Sequence, residues 1–167
     1  ILGEDHGITI IDIVDPENTT GGTRLGSMTY EDLLSQGDAK AEWKLPSDEW
    51  NAMALNYTSG STGRPKGVVY HHRGSHLMTM GTIADWQMPH HLCYYYVVPL
   101  FHCNGWGHVW AVTAQAGTIV CSRAVTAKSV YDAIADHGVT QFGGAPIILG
   151  MIVNALDSDR RAFDHTV

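Results

Sequence analysis

Charge is scarce in this chain of 167 residues: Asp, Glu, Lys and Arg together make up 16% of it, against 44% hydrophobic residues. A chain so poor in charge and so rich in apolar side chains can bury a core, which excludes native disorder and suits the size of a single domain. Basic residues are scarcer still, with 10 Lys and Arg against 17 Asp and Glu for a net charge of -7, and they never cluster. No positive field is available to hold a phosphodiester backbone, so nucleic acid is excluded as a partner. Long apolar runs are missing as well. The stretches Tyr94 to Phe101 and Ile147 to Val153 fall far short of the roughly 20 residues needed to cross a bilayer, and no membrane span is expected.

Cysteine is limited to Cys93, Cys103 and Cys121, odd in number and without CxxC spacing. That excludes a disulfide framework or a zinc ribbon and leads us to expect a reducing, cytoplasmic location. No basic segment followed by an apolar core and a small-residue cleavage site opens the chain, although a sequence that starts at Ile1 leaves upstream targeting open. Histidine, by contrast, is plentiful at ten residues, and His72 and His76 have the i, i+4 spacing of one helix face. Neither an HExxH glutamate nor a carboxylate third ligand accompanies them, so a metal centre is not expected there.

Apolar, β-branched runs at Ile8 to Val14, Ala52 to Tyr57, Tyr94 to Val98, Thr118 to Cys121 and Val139 to Phe142 read as strands. Between them, Tyr30 to Leu34, Gly74 to Trp86, Gly105 to Ala116, Thr126 to His137 and Ile147 to Leu156 read as helices, the fourth capped by Thr126 and stopped by Gly138. This alternation predicts an α/β fold with a largely parallel sheet and helices on both faces. Residues 15–27, with Pro16, Gly21, Gly22 and Gly26 among polar neighbours, read as a loop. After the polar break Asp157 to Arg161 the chain resumes at Phe163 and stops at Val167, as if a further strand were cut short. An incomplete sheet with exposed apolar faces leads us to expect association into a homo-oligomer.

The segment richest in chemistry is Tyr57-Thr58-Ser59-Gly60-Ser61-Thr62-Gly63-Arg64-Pro65-Lys66-Gly67, which follows an apolar strand and precedes Val68-Val69. Glycines allow positive φ and let backbone N–H groups approach an anion, hydroxyls add donors without bulk, and Lys66 supplies a point charge. Such a set stabilises the charge that gathers when pyrophosphate leaves an α-phosphate. It is not a GxxxxGK[ST] loop, because Pro65 stands where that motif has the glycine before its lysine. The plain alternative is a flexible Ser/Thr/Gly surface turn.

Tyr57 to Gly67 closely resembles the signature loop of the AMP-forming adenylating superfamily, which includes acyl-CoA synthetases, firefly luciferase and the adenylation domains of peptide synthetases. Pro99-Leu100-Phe101-His102-Cys103-Asn104-Gly105-Trp106 resembles the acyl-pocket segment of fatty-acyl and 4-coumarate CoA ligases. With His71 to Gly74 after the loop, the pattern is similar to medium-chain acyl-CoA synthetases and methylmercaptopropionate-CoA ligase. The resemblance covers nearly all of residues 1–167, most weakly before residue 45, and implies part of the large N-terminal AMP-binding domain. It further implies that the family's glycine-tyrosine-glycine segment with the metal-binding glutamate, its ribose-binding aspartate and its mobile C-terminal domain with a catalytic lysine lie beyond Val167, so that the piece alone is inert.

Carried over by residue, the resemblance implies that Thr58, Ser59, Gly60, Ser61, Thr62, Gly63 and Lys66 surround the β- and γ-phosphates of ATP, with Thr58 helping to hold Mg²⁺. His102 would stand where the carboxylate meets the α-phosphate, acting with Lys66 in catalysis, and Trp106, Gly144, Ala145 and Pro146, with Gly143, would line the acyl pocket. The expected reaction joins a short- to medium-chain carboxylic acid to ATP, giving acyl-AMP and pyrophosphate, and then forms a thioester with coenzyme A. The alternatives are a sibling enzyme that passes the acyl group to another acceptor, or an inert nucleotide-binding fragment. The residues themselves also admit simpler roles: His102 as a satisfied core histidine, Trp106 and Trp110 as core aromatics. Adjacent residues of a strand face opposite ways, so a Cys103–His102 nucleophile is disfavoured and Cys103 is expected to be filler. The Tyr94-Tyr95-Tyr96 run is what sheet packing favours.

Overall fold

The computed structural model describes residues 7–59 and 63–167. The chain divides into two compact units, Ile1–Leu45 and Pro46–Val167. In the first, β1 (Ile11–Asp12) pairs in parallel with β2 (Met28–Thr29). Residues 15–27 between them carry neither strand nor helix. Thr29 begins α1 (Tyr30–Ser35) with a capping box, its hydroxyl taking the Asp32 N–H while the Asp32 carboxylate takes the Thr29 N–H. The strand expected over Ile8 to Val14 shrinks to two residues, since only Ile11 and Asp12 find ladder partners and Ile13 is 82% exposed.

The second unit opens with an antiparallel ribbon, β3 (Ala52–Thr58) against β4 (Lys66–His71), whose register runs from Ala52 opposite His71 to Thr58 opposite Lys66. Strand β4 was not among the expected strands; the glycines and proline that mark the turn hide the six residues that pair behind it. His71 turns the chain into α2 (His72–Asp85), its Nδ1 accepting the Gly74 N–H at 3.0 Å. A cation–π contact of Arg73 over Trp50, 5.5 Å from the ring centre, and the Arg73–Glu49 ion pair hold this corner.

The core is a three-stranded parallel sheet in the order β6 (Thr118–Cys121), β5 (Cys93–Tyr96), β7 (Gln141–Phe142). Side chains alternate across β5, as a period of two requires. Tyr94 and Tyr96 pack with Met88, Leu92 and with Ala111 and Val112 of α4 (His108–Ala114) on one face. Tyr95 packs on the other with Val130, Ala133 and Ile134 of α5 (Ala127–His137), along with Val97 and Val139. The expected α/β arrangement, helices on both faces of a parallel sheet, is therefore present, and the tyrosine run serves packing. Thr126 caps α5 through a capping box with Ser129, and Gly138 ends it at φ 63°, both as the sequence indicated. Pro146 sits in the first turn of α6 (Pro146–Val153), where its missing N–H costs nothing.

Three expectations need correction. The strand-like runs do not share one sheet but fall into three, because the β3–β4 ribbon pairs only with itself. The helix expected over Gly105 to Ala116 is broken: Cys103, Asn104, Gly105, Trp106 and Gly107 all have φ between 50° and 69°, so the short element α3 (Cys103–Trp106) is a left-handed turn that precedes α4. No strand forms around Phe163; side chains anchor that segment instead, with His165 Nε2 at 2.9 Å from the Val139 carbonyl and Arg161 paired to Asp132 and Asp136. Among the described residues no helix is long and apolar enough to cross a membrane.

Candidate active site

The open end of the β3–β4 ribbon carries a hydroxyl and an ammonium side by side. Thr58 is the last residue of β3 and Lys66 the first of β4, and they stand directly opposite each other. Opposed residues of an antiparallel pair project from the same face, so one hydroxyl and one ammonium share a face at the open end of the ribbon. Both are exposed, as is Ser59, and Lys66 has no carboxylate partner among the described residues. Gly63 adopts φ +82°, which side-chain-bearing residues avoid, and a Cβ there would meet nothing within 4 Å. Gly60, Ser61 and Thr62 lie outside the described residues.

The other end of β4 walls a cleft. Val69, Tyr70 and His71 form one side, Gly74, Ser75 and Met78 of α2 the next, and Cys103, Trp106 and Trp110 close it around a volume of about 380 Å³. A strand rises about 3.3 Å per residue, which puts Tyr70 roughly 13 Å from Lys66 along β4. One rigid strand thus sets the distance between a cationic, hydroxyl-bearing end and a mostly apolar cleft.

The left-handed turn is what aims Trp106 into that cleft. Gly105 and Gly107 supply two of its positive-φ positions, and neither tolerates a Cβ: at Gly105 it would lie 2.4 Å from the Tyr96 ring, at Gly107 2.1 Å from the Met78 methyl. The Tyr96 hydroxyl clamps the turn by donating to the Gly105 carbonyl and accepting the Val109 N–H, each at 2.9 Å. Burial pushes the Tyr96 hydroxyl up, so it stays a neutral donor. Tyr70 also titrates above its ordinary range, first through burial and then through the neighbouring Cys103 thiol.

Of the expected site residues, the cleft gathers Trp106 alone. His102 is exposed at the N-cap of the left-handed turn, one residue from the cleft-lining Cys103, and its imidazole makes no hydrogen bond among the described residues. Gly144 packs under β5, where a Cβ would be 3.2 Å from Val97 and 3.3 Å from Ile148, while Ala145 and Pro146 are exposed at the start of α6. None of the three lines this cleft. Cys103 is not filler: it is exposed, sits in a turn rather than a strand, and forms part of the wall. Tyr70, Ser75 and Met78 were missed, and Trp110, expected only as a core aromatic, lines the cleft. The i, i+4 spacing of Gly74 and Met78 on one helix face, opposite aromatics, was the available signal. His72 and His76 line a separate shallow depression with Met53, Ser75, Thr79 and Trp110.

Comparison with known proteins points the same way. The family model of AMP-binding enzymes matches residues 8–166. An acetate–CoA ligase of Humulus lupulus is 46% identical over 141 residues, covering 84% of this chain and 25% of the relative. A peroxisomal acetate/butyrate–CoA ligase of Arabidopsis thaliana is 45% identical over 91% of this chain and 27% of the relative. A 2-methylpropanoate–CoA ligase of Humulus lupulus is 40% identical over 90% of this chain and 28% of the relative. The chain thus spans about a quarter of the length of these curated relatives. In fold it is similar to the N-terminal domain of FACL13 from Mycobacterium tuberculosis, with a TM-score of 0.68 at 22% identity over 75% of this chain and 31% of that one. It is likewise similar to o-succinylbenzoate CoA synthetase from Bacillus subtilis in complex with ATP and magnesium ion, with a TM-score of 0.64 at 21% identity over 78% of this chain and 28% of that one.

Proposed function

This chain belongs to the AMP-binding enzyme family, and from that premise we propose that the polypeptide carrying it is an AMP-forming acyl-CoA synthetase acting on short- to medium-chain carboxylic acids. A carboxylate oxygen attacks the α-phosphorus of ATP, the bond to the β-phosphate breaks, and pyrophosphate leaves. The thiolate of coenzyme A then attacks the acyl carbon and AMP departs. The observation that carries the reading is the pairing of Thr58 with Lys66 at one end of a ribbon whose other end walls an apolar cleft.

Each residue has a part. The Thr58 and Ser59 hydroxyls, the backbone of Gly60 to Gly63 with Ser61 and Thr62, and the Lys66 ammonium receive the β- and γ-phosphates and offset the charge that builds on the leaving side. Thr58 also holds Mg²⁺, which when bound neutralises phosphate charge; an exposed hydroxyl opposite Lys66, open to solvent, fits that part. His102, with a free imidazole beside the cleft mouth, orients the carboxylate. The acyl chain enters along Val69, Met78, Trp106 and Trp110. About 380 Å³ of mostly apolar space suits a small aliphatic acid, and the relatives are named for acetate, butyrate and 2-methylpropanoate. Three free thiols support a reducing compartment, the cytoplasm, for this chain.

The test is carboxylate-dependent pyrophosphate release by the native polypeptide. Lys66→Ala should lower it roughly 10²-fold, the effect of removing one charge-stabilising donor. Unchanged turnover would remove the turn from the mechanism. A hydroxylamine trap run with and without coenzyme A separates thioester formation from transfer to another acceptor: thioester appearing only with coenzyme A supports the synthetase reading, and adenylate that persists in its presence contradicts it.

A further inference from the structure

Behind Trp106, on the side away from the open cleft, lies a buried polar group with no part in the chemistry above. His108 is 3% exposed at the start of α4. Three aromatic rings enclose it edge-on: Trp86 at 4.5 Å between ring centres and 67°, Tyr94 at 5.3 Å and 80°, and Trp106 at 6.0 Å and 87°. Its Nδ1 is hydrogen-bonded to the Tyr94 hydroxyl, itself on a residue only 1% exposed. A Cβ on Gly143 would lie 2.5 Å from the Trp86 ring and 3.1 Å from that hydroxyl oxygen. Gly143 therefore has to be glycine for Trp86 and Tyr94 to close over it.

A phenol is the stronger donor of the two groups, so the Tyr94 proton points at His108 Nδ1, which accepts. His108 then carries its proton on Nε2. Burial pushes the imidazole below its ordinary range, and burial with the neighbouring Tyr96 pushes the Tyr94 hydroxyl above its own, so both groups stay neutral and the relay is intact.

We infer that His108 is a positioning residue for the acyl pocket: its hydrogen bond to Tyr94 fixes the imidazole, and through ring contact the imidazole sets the Trp106 indole that lines the cleft. This rests on the reading that the cleft at Trp106 takes the acyl chain. Among the described residues nothing in the arrangement touches the Thr58–Lys66 end of the ribbon, so its loss acts on the acid and spares ATP.

The test is steady-state kinetics of pyrophosphate release by the native polypeptide with acetate, butyrate and hexanoate as acids. His108→Phe keeps a ring and removes the acceptor; Tyr94→Phe removes the hydroxyl with almost no change of volume and serves if the first variant folds poorly. Each should raise KM for the acid about tenfold, the size of one buried neutral hydrogen bond left unmade. KM for ATP should stay within about twofold, since uniform loosening would move both. The double variant should be no worse than either single one, because both cut the same link. His108→Asn, whose amide oxygen can stand near the Nδ1 position, should recover most of the loss. Unaltered acid KM in both variants, additive effects, or acid and ATP constants rising together would overturn the inference. Trp106→Ala separates the two levels: if it leaves the preference among the three acids unchanged, the acyl-pocket reading itself fails. If it changes that preference while His108→Phe does not, only the positioning role falls.

Discussion

At the scale of single residues the molecule shows two kinds of commitment. One is electrostatic. Burial lowers the pKa of His108, so the folded state prefers the neutral imidazole more than the unfolded chain does. Between the folded and the ordinary value of about 6.5 the unfolded chain binds more protons, so this contribution to stability is complete above the ordinary value and is lost as pH falls through that window. The groups facing His108 do not share the window: Tyr94 and Tyr96 titrate above their usual range and Trp86 and Trp106 carry no charge. Urea midpoints should therefore fall more steeply between pH 7 and 5 in the wild type than in His108→Phe. Equal slopes would show that the imidazole is not held neutral.

The other commitment is steric. At Gly105 an added methyl group would meet both a left-handed φ and the Tyr96 ring, whereas at Gly63 it would meet a left-handed φ and open space. Strain alone costs about 1 kcal/mol and overpacking adds about 1 to 3 kcal/mol. Gly105→Ala should thus destabilise by about 2 to 4 kcal/mol and Gly63→Ala by about 1 kcal/mol in urea unfolding. A Gly105→Ala no worse than Gly63→Ala would mean that the Tyr96 clamp is loose.

At the scale of elements, α5 shows what a local signal can carry. Its Thr126 cap and its Gly138 stop are both realised, and Thr126→Ala should cost about 1 kcal/mol. The Lys128–Asp132 pair within the helix and the Arg161–Asp136 pair from the C-terminal segment to it, at 2.5 and 2.6 Å, are exposed and should matter much less. A Lys128→Ala change as costly as the cap would contradict that ordering. Strands β3, β5 and β6 and helices α1, α2, α5 and α6 could be read from runs and caps because their signals are local. Strand β4 could not, since the turn residues before it dominate the pattern. The break before α4 escaped for a similar reason: Trp106 and Trp110 keep helical spacing in the sequence while the backbone between Cys103 and Gly107 winds the other way. The phosphate turn was legible as a motif, and the cleft was not, because its walls come from β4, α2 and α4 and meet only through tertiary packing.

At the scale of the whole molecule, the second unit is organised around β5, whose alternate faces seat α4 and α5, and this rigid centre positions both Trp106 and the Gly143 segment. The β3–β4 ribbon extends from α2 and carries the exposed hydroxyl and ammonium. Leu55, Tyr57 and Val69 are 56%, 69% and 59% exposed there, an apolar surface of the kind that association covers. Under the proposed function, the charged turn on the ribbon would answer to nucleotide and the apolar cleft to the acid.

The central claim is that the Thr58–Lys66 turn grips the polyphosphate of ATP. A crystal structure of the native polypeptide with ATP and Mg²⁺ measures this directly. The account predicts the Lys66 Nζ within about 3 Å of a β- or γ-phosphate oxygen, a charge-assisted hydrogen-bond distance, with Thr58 on the same oxygens or their metal. A polyphosphate tail bound at another surface, with this turn empty, would contradict it.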